Sequence, residues 1–490
     1  MALIYFKGSA LLIISFLVFG FSYHFFKKER ITYSLWLVIM GGFILRVWCA
    51  SDSFLHEWDE RYHALVAKHL AENPLLPLLY KTPLLPYDYR EWSANHVWLH
   101  KQPFPLWLMA GSIRLFGINE WALRLPSLIL STIAIYLTFK IVSNLQNEQT
   151  GLLAAALQAI NGFVIELASG RQATDHIDNV FLFLMELSVF YIILFEQSRR
   201  LRFLLFIGLS MGLAILTKWL PALIVLIIFT VLLFDRKQKG LIFKNVGVIL
   251  ITAGAVALPW QIYIFSRFPL EANWESHYNF LHITSVLGNQ SGGWWFYLEN
   301  ARIQWNEAIY VVVIWFLMGL FRKSFDRRYW ALGLWIVVPY SFFSAIQTKM
   351  VGYVLFTAPA VFALIAMFWW EFKARPLKYR FFNNTLLFVI LALAVRYSVE
   401  RVKPFEDDSK SVAEANFMKG LNSMIKNKKV VIFNMDKNIE GMFYTDFTIY
   451  ASLPNTDEIE SLNQRGYKVF MIKNNLLPAI LLNRKDVSYL

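Results

Sequence analysis

The chain holds a single cysteine, Cys49, in 490 residues, which excludes an intramolecular disulfide and leaves the compartment open. Charge is scarce as well. Only 17% of residues are charged, against about 25% in soluble domains, so a globular fold solvated on all sides is excluded. No internal repeat and no low-complexity tract is found, which argues against transporters assembled from repeated halves. No small-residue cleavage site follows the first apolar run, which leads into Lys27, Lys28, Glu29 and Arg30 and then a second run. The first run is therefore expected to be an anchor rather than a signal peptide.

What the sequence has instead is apolar length. Hydrophobic residues make up 57% and aromatics 17%, gathered in runs near the ~20 residues that cross ~30 Å of hydrocarbon. The expected fold is an all-α polytopic membrane protein. About twelve spans are expected, at 3–26, 33–50, 121–142, 151–168, 179–196, 203–217, 219–234, 246–264, 308–321, 330–345, 351–370 and 381–397. The formal net charge of +13 does not imply nucleic acid, because the basic residues sit in short loops between apolar runs. They cluster at Lys27, Lys28 and Arg30; Arg199, Arg200 and Arg202; Arg236, Lys237 and Lys239; Arg322, Lys323, Arg327 and Arg328; and Lys373, Arg375, Lys378 and Arg380. If all of these face the cytoplasm, both termini and the long loops face the other side. That topology holds only if 104–116 lies along the interface as an amphipathic helix.

Three segments then face outward. The loop 51–103 is the longest polar break in the first half, and its titratable groups beside membrane-length runs need a functional reason. The loop 266–307 carries Gly288, Gly292 and Gly293 next to Trp294 and Trp295, a mobile segment at headgroup level. From residue 400 to 490 the composition turns soluble: KKVVIFNM and YKVFMI read as buried strands, and DEIESLNQRG as a helix stopping at Gly466. The division expected is a membrane domain 1–399 and a small α/β extracytoplasmic domain 400–490.

Within 51–103, i,i+4 spacing puts His56 with Glu60, and Asp59 with His63, on shared helix faces. Three readings stay open: a solvated interfacial turn, a general base tuned by partial burial, or a divalent metal site using His56, Asp59, Glu60 and His63. Arg171 to Asp178, RQATDHID, is either a turn whose Arg and Asp pair, or a phosphate-receiving cation with an acid to orient it. Lys218 could simply snorkel. With Lys101, Arg171 and Lys349, the last near Tyr353, it completes four outward cations next to acids, as a site for a phosphate leaving group needs.

The fragments WDERYHALVAKHL, HKQPFPLWLMAGSIRLFGINEWALRLPS, RQATDHID, LTKWLPALIV, LPWQIYIF, GGWWFYL and KMVGYVLFTAP follow one another in order. Over about Trp58 to Ala360 the chain resembles membrane glycosyltransferases of the C superfamily (GT-C fold). It is most similar to the family-39-like group, which includes protein O-mannosyltransferases and transferases that add aminoarabinose to lipid A. Departures are Lys101-Gln102-Pro103-Phe104, where Lys-Pro-Pro-Leu is usual, and Met350-Val351 after Lys349, where Leu-Pro is common. The segment between His69 and His96 and the first span have no counterpart. The resemblance implies an inverting transfer of a sugar from a polyprenyl phosphate to a lipid, glycan or protein acceptor at a periplasmic or exterior site of the inner membrane. It implies no nucleic-acid partner. It assigns Asp59 and Glu60 to catalysis, and Lys101, Arg171, Lys349 and Tyr353 to the donor phosphate. Asp175, Arg61, Tyr62 and His100 would contact or orient the sugar. No cofactor is implied with certainty, a divalent ion on His56 and His63 staying open. A transporter or flippase of a lipid-linked or anionic solute is the alternative, with a scaffold built on the terminal domain as a third.

Overall fold

The structure, a computed structural model, describes residues 9–234, 239–321, 326–374, 380–404, 406, 408–427, 429–474, 477–482 and 484–490. The start of the first expected span and the basic residues Arg236, Lys237, Arg322, Lys323, Arg375 and Lys378 lie outside the described residues. Two apolar helices come first, α1 (Ser9–Lys27) and α2 (Ile31–Cys49), then α3 (Asp59–Glu72) and α4 (Pro103–Phe116) within and after the long loop. There follow α5 (Glu120–Leu145), α6 (Glu148–Ile160), α7 (Gly162–Ala168), α8 (Asp175–Ser198), α9 (Leu201–Lys218), a 3-10 turn at Leu220–Leu223, α10 (Ile224–Leu233) and α11 (Lys239–Arg267). After α12 (Pro269–Thr284) come α13 (Phe296–Glu299), α14 (Ala301–Trp305), α15 (Ile309–Phe321), α16 (Arg327–Ala345), a second 3-10 turn at Val351–Thr357, α17 (Ala358–Lys373) and α18 (Arg380–Val402).

Each of the twelve apolar runs is helical over most of its described length. Among the described residues seven helices are long and apolar enough to cross a membrane, or up to nine counting bent pairs, so that count stands below the twelve expected. One bent pair is α6–α7, broken by 55° where Asn161 caps α7 by accepting from the Val164 N–H. Gly162 follows because α18 crosses there: a Cβ would lie 2.8 Å from Arg401 Cβ and 2.9 Å from Ser398 Cα. The segment expected at the interface is α4, 14 residues long. At ~1.5 Å rise it reaches about 21 Å, too short to span. Deep in the bundle Arg46 on α2 donates to Ser131 Oγ of α5 (2.8 Å) and the Ala159 carbonyl of α6 (3.0 Å), while Gln158 donates to Glu186 of α8 (2.7 Å). With no water at hand, such polar side chains must find one another, and here they tie four helices together.

The basic loops gather at one end: Arg327 pairs with Glu196 at 2.6 Å and Arg328 donates to the Leu145 carbonyl at 2.9 Å. Asp52, Glu60, Arg171 and Lys218 lie at other helix ends, after α2, at the start of α3, before α8 and at the close of α9.

The carboxy-terminal segment contains α19 (Ser409–Met424), β1 (Val430–Phe433), α20 (Asn438–Tyr444), β2 (Thr448–Ile449), α21 (Thr456–Gln464), β3 (Lys468–Met471), α22 (Ala479–Leu482) and β4 (Val487–Tyr489). The strands form one parallel sheet in the order β2-β1-β3-β4. Parallel strands covered on both faces read as continuous apolar runs, and all four residues of β1 are buried. They alternate in destination. Val431 and Phe433 pack with Ile459 and Leu462 of α21, whereas Val430 and Ile432 join a core that includes Leu65 of α3, Met109 of α4 and Leu123 of α5. The segment is therefore docked through a shared core rather than hung from a linker. The stretch between His69 and His96 that resembled nothing fastens it further. Tyr80 donates to the Ile449 carbonyl (3.2 Å), Tyr450 Oη accepts from the Leu84 N–H (2.8 Å), and Leu84 is buried against the sheet.

Candidate active site

Helix α3 starts at Asp59, directly after Trp58, whose φ of 70° is costly for a residue with a side chain. Positive φ recurs at Thr174 (67°) and Asp175 (29°), at the start of α8, and at Trp219 (60°), next to Lys218. Such strain persists where the surroundings over-determine it, and it clusters at functional sites. These turns bring four distant segments together.

The Asp59 carboxylate lies 3.5 Å from the Lys101 ammonium and accepts the Thr174 N–H at 3.0 Å. Burial opposes its ionisation, but Lys101, His63, His100 and the Thr174 N–H outweigh that and hold the carboxyl well below the usual carboxylate range. Burial likewise opposes the charge on Lys101, and Asp59, Asp175 and Asp178 overcome it, raising the ammonium above its ordinary value. Both groups keep an open side, at 16% and 22% exposed. Next along, Thr174 Oγ1 donates to Asp178, Asp178 pairs with Lys218, and the Lys218 ammonium sits 5.2 Å over the Tyr353 ring. Gly352 packs so closely here that a Cβ would fall 2.8 Å from Asp178 Oδ2. Three residues earlier is Lys349, 4% exposed, its ammonium donating to the Ile346 carbonyl. Among the described residues no carboxylate pairs with it, and burial pulls its pKa down. The Lys349 N–H donates to the Gln290 carbonyl (2.9 Å) and the Thr348 N–H to that of His282 (3.0 Å). Burial lowers the pKa of His282 against the pull of the Tyr278 carbonyl, and the charge of Lys101 adds to the lowering.

Two expected site residues are held by neighbouring groups in this structure. Glu60 does not face the opening. It is fully buried, takes Arg124 Nε at 2.7 Å and Nη2 at 3.0 Å, and accepts from the His56 N–H at 2.6 Å. Burial would keep it neutral; Arg124 and His56 overturn that and drive its pKa well down. Its oxygens are committed, so it positions the loop. Gly170, at φ 82°, leaves room for this: a Cβ there would meet Glu60 Oε1 at 2.2 Å. Arg171 is also committed, with Nη2 and Nε 2.8 and 3.2 Å from Asp52 Oδ2 and Nη1 2.7 Å from the Val402 carbonyl. It links the segment after α2 to the end of α18.

The remaining expected residues surround the pair. Asp175, fully buried, accepts from or pairs with His63 Nδ1 at 3.0 Å. His100 stacks on Trp92 (4.5 Å between ring centres), with Glu275 of α12 at 3.3 Å; burial and the neighbouring Lys101 lower its pKa. Tyr62 packs edge-on to Trp92 at 4.9 Å, and Arg61 turns to Glu440 in α20 at 3.4 Å. His56 bridges Asp52 (3.1 Å) and Glu60 (2.8 Å) while His63 turns to Asp175, so the two histidines raised as metal ligands do not converge. Among the described residues no group of three or more His, Cys, Asp or Glu side chains is arranged to hold a metal. Residues missed from sequence are Arg124, Asp52, Thr174 and Glu275. A lone arginine inside the apolar run of α5 was the one signal that could have pointed to Arg124.

Together these features define a multi-pass helical membrane protein whose charged cluster is built from broken helix ends. It has the fold of the C-superfamily glycosyltransferases. The structure of ArnT from Cupriavidus metallidurans bound to undecaprenyl phosphate superposes with a TM-score of 0.62 at 15% identity, covering 88% of this chain and 87% of that one. The archaeal oligosaccharyltransferase AglB from Archaeoglobus fulgidus, with an inhibitory peptide and a dolichol-phosphate, gives 0.55 at 14% identity, covering 86% and 65%. In sequence, residues 100–263 match the family described as dolichyl-phosphate-mannose-protein mannosyltransferase. The chain is similar to the undecaprenyl phosphate-alpha-4-amino-4-deoxy-L-arabinose arabinosyl transferase of Pseudomonas aeruginosa (strain UCBPP-PA14), 27% identical over 289 residues, 54% of this chain and 49% of that protein. A Pseudomonas fluorescens (strain Pf0-1) counterpart is 28% identical over 283 residues, covering 54% and 49%. The chain thus spans about half the length of the curated relatives it matches.

Proposed function

We propose that this protein is an inner-membrane glycosyltransferase that takes a sugar from a polyprenyl phosphate and passes it, with inversion, to an acceptor at an extracytoplasmic site. The observation that carries the reading is Lys349. Among the described residues its buried ammonium has no counter-ion, which is costly, and the phosphate of a lipid donor supplies the missing charge. Lys101, 3.5 Å from Asp59 and partly exposed, adds to it as that pair opens, while Lys218 stays with Asp178 beside Tyr353. The sugars and lipid phosphates named for the relatives fit the same chemistry, and the basic loops gathered around Arg327 and Arg328 support an outward-facing site. We read residues 400–490 as an extracytoplasmic domain that closes over the loop 51–103.

In the reaction the anomeric carbon loses its bond to the phosphate oxygen, and the bonding pair leaves on the polyprenyl phosphate. Fixed cations stabilise that charge as it develops, an effect worth several kcal/mol where water is excluded. Lys101 links this to the other half of the reaction. As it turns toward the phosphate it leaves Asp59, whose affinity for a proton rises just when the acceptor hydroxyl must lose one. Asp175 and His63 hold the back of the site, and Trp92 with Glu275 hold His100.

Purified protein given a labelled undecaprenyl-phosphate sugar in proteoliposomes, with cell-envelope material outside, tests the reading. Label is expected in a new covalent product with release of undecaprenyl phosphate. Movement of the labelled lipid between leaflets without transfer would instead support a flippase.

A further inference from the structure

On the other side of Trp58 from α3 lies a polar cavity of about 190 Å³ that the donor chemistry leaves unused. We infer that it is the acceptor subsite and that it takes a carbohydrate through a neutral hydroxyl, not an anionic headgroup; this rests on the glycosyltransferase reading above. Among the described residues its lining carries five carboxylates against three cations, Arg171, Lys403 and Lys437. Each cation already has an acid: Asp52 at 2.8 Å, Glu406 at 3.5 Å and Glu414 at 2.7 Å. A phosphate entering here meets an excess of negative charge and cations that are spoken for. Sugar hydroxyls meet what they need, carboxylate acceptors such as Glu57 and paired ammonium donors.

Trp58 completes the match. Its indole is 68% exposed, held at the cavity wall by a backbone conformation that Trp adopts only under constraint. A flat aromatic face of that kind packs against the C–H face of a sugar ring. Trp58 immediately precedes Asp59, whose carboxylate keeps an open side, 16% exposed. The subsite is assembled from both ends of the sequence, Glu57 and Trp58 from the first long loop and Ser411 and Lys437 from the carboxy-terminal segment. In the step that follows, the hydroxyl oxygen bonds to the anomeric carbon as the bond to the phosphate oxygen breaks. The electron pair leaves on the polyprenyl phosphate and the hydroxyl proton passes to Asp59.

The test uses the full chain in proteoliposomes with labelled undecaprenyl-phosphate sugar and envelope glycan from the source cells. The labelled product is treated with mild acid, which cleaves a sugar joined through phosphate and spares a glycoside on a hydroxyl. Donor binding is measured separately. The expected result is a product that resists mild acid. Transfer should drop about tenfold or more in Trp58→Ala and in Glu57→Gln, a change of about 1.4 kcal/mol, with donor binding unchanged and Trp58→Phe restoring much of the loss. An acid-labile product, or full transfer by Trp58→Ala, overturns the inference. A chain that binds no donor at all overturns the glycosyltransferase reading, and the subsite with it.

Discussion

Asp59→Asn is expected to lower transfer roughly 10²- to 10⁴-fold, the range a positioned general base contributes, while donor binding stays near wild type. The amide keeps the shape and can still meet the Thr174 segment, but it cannot take the proton of a hydroxyl. An acceptor that is already an anion needs no base, so with such an acceptor the loss should appear in acceptor binding instead. The pH dependence follows from the Lys101 pair. Asp59 has its folded pKa depressed, so its contribution to stability is present above the unfolded carboxylate value of about 3.9 and fades as pH falls through the folded one. The thermal-stability gap between wild type and Asp59→Asn should therefore be widest near neutrality and close on acidification. Steady-state transfer with separate donor titrations, plus unfolding scans across pH, checks both halves.

Arg124→Ala should produce the largest loss of stability. The guanidinium is fully buried and bonds both Glu60 oxygens and the carbonyls of Ala50 (2.9 Å), Asp52 (2.5 Å) and Phe54 (2.6 Å). It thus welds α5 to the end of α2 and to the start of α3. Removing it strands the Glu60 carboxylate, a change that costs about 3–5 kcal/mol when one partner of a buried pair is deleted. Thermal unfolding in detergent reads this directly. The double variant Arg124→Met with Glu60→Met should lose less than the sum of the two single changes, because no charge is then left alone; additive losses would mean that the two side chains act independently.

The fold was legible where physics acts locally. Long apolar runs gave the positions of the membrane helices, and the 14-residue α4 was recognisable because a spanning segment there would invert every later basic cluster. Short continuous apolar runs gave β1 and β3, and a glycine stop gave the helix expected to end at Gly466. The two-residue β2 and three-residue β4 were not visible, since strands that short carry no period. In the site, Asp59, Lys101 and Lys349 were found as charges at helix mouths. The pairing of Glu60 and Arg171 was not legible for one reason: a sequence shows which charges exist but not which of them already hold each other. Arg124 and Asp52, their partners, lie 64 and 119 positions away. Only the folded backbone, with its turns at Trp58, Thr174 and Trp219, decides which cations stay open.

Binding of undecaprenyl phosphate to wild type and Lys349→Met, measured at equilibrium in detergent, tests the central claim most directly. Because Lys349 is buried with no carboxylate partner among the described residues, methionine there should leave the protein at least as stable, so lost binding cannot be blamed on unfolding. The account predicts affinity weaker by about tenfold or more, about 1.4 kcal/mol, in a protein that melts no lower than wild type. Wild-type affinity in Lys349→Met would contradict it.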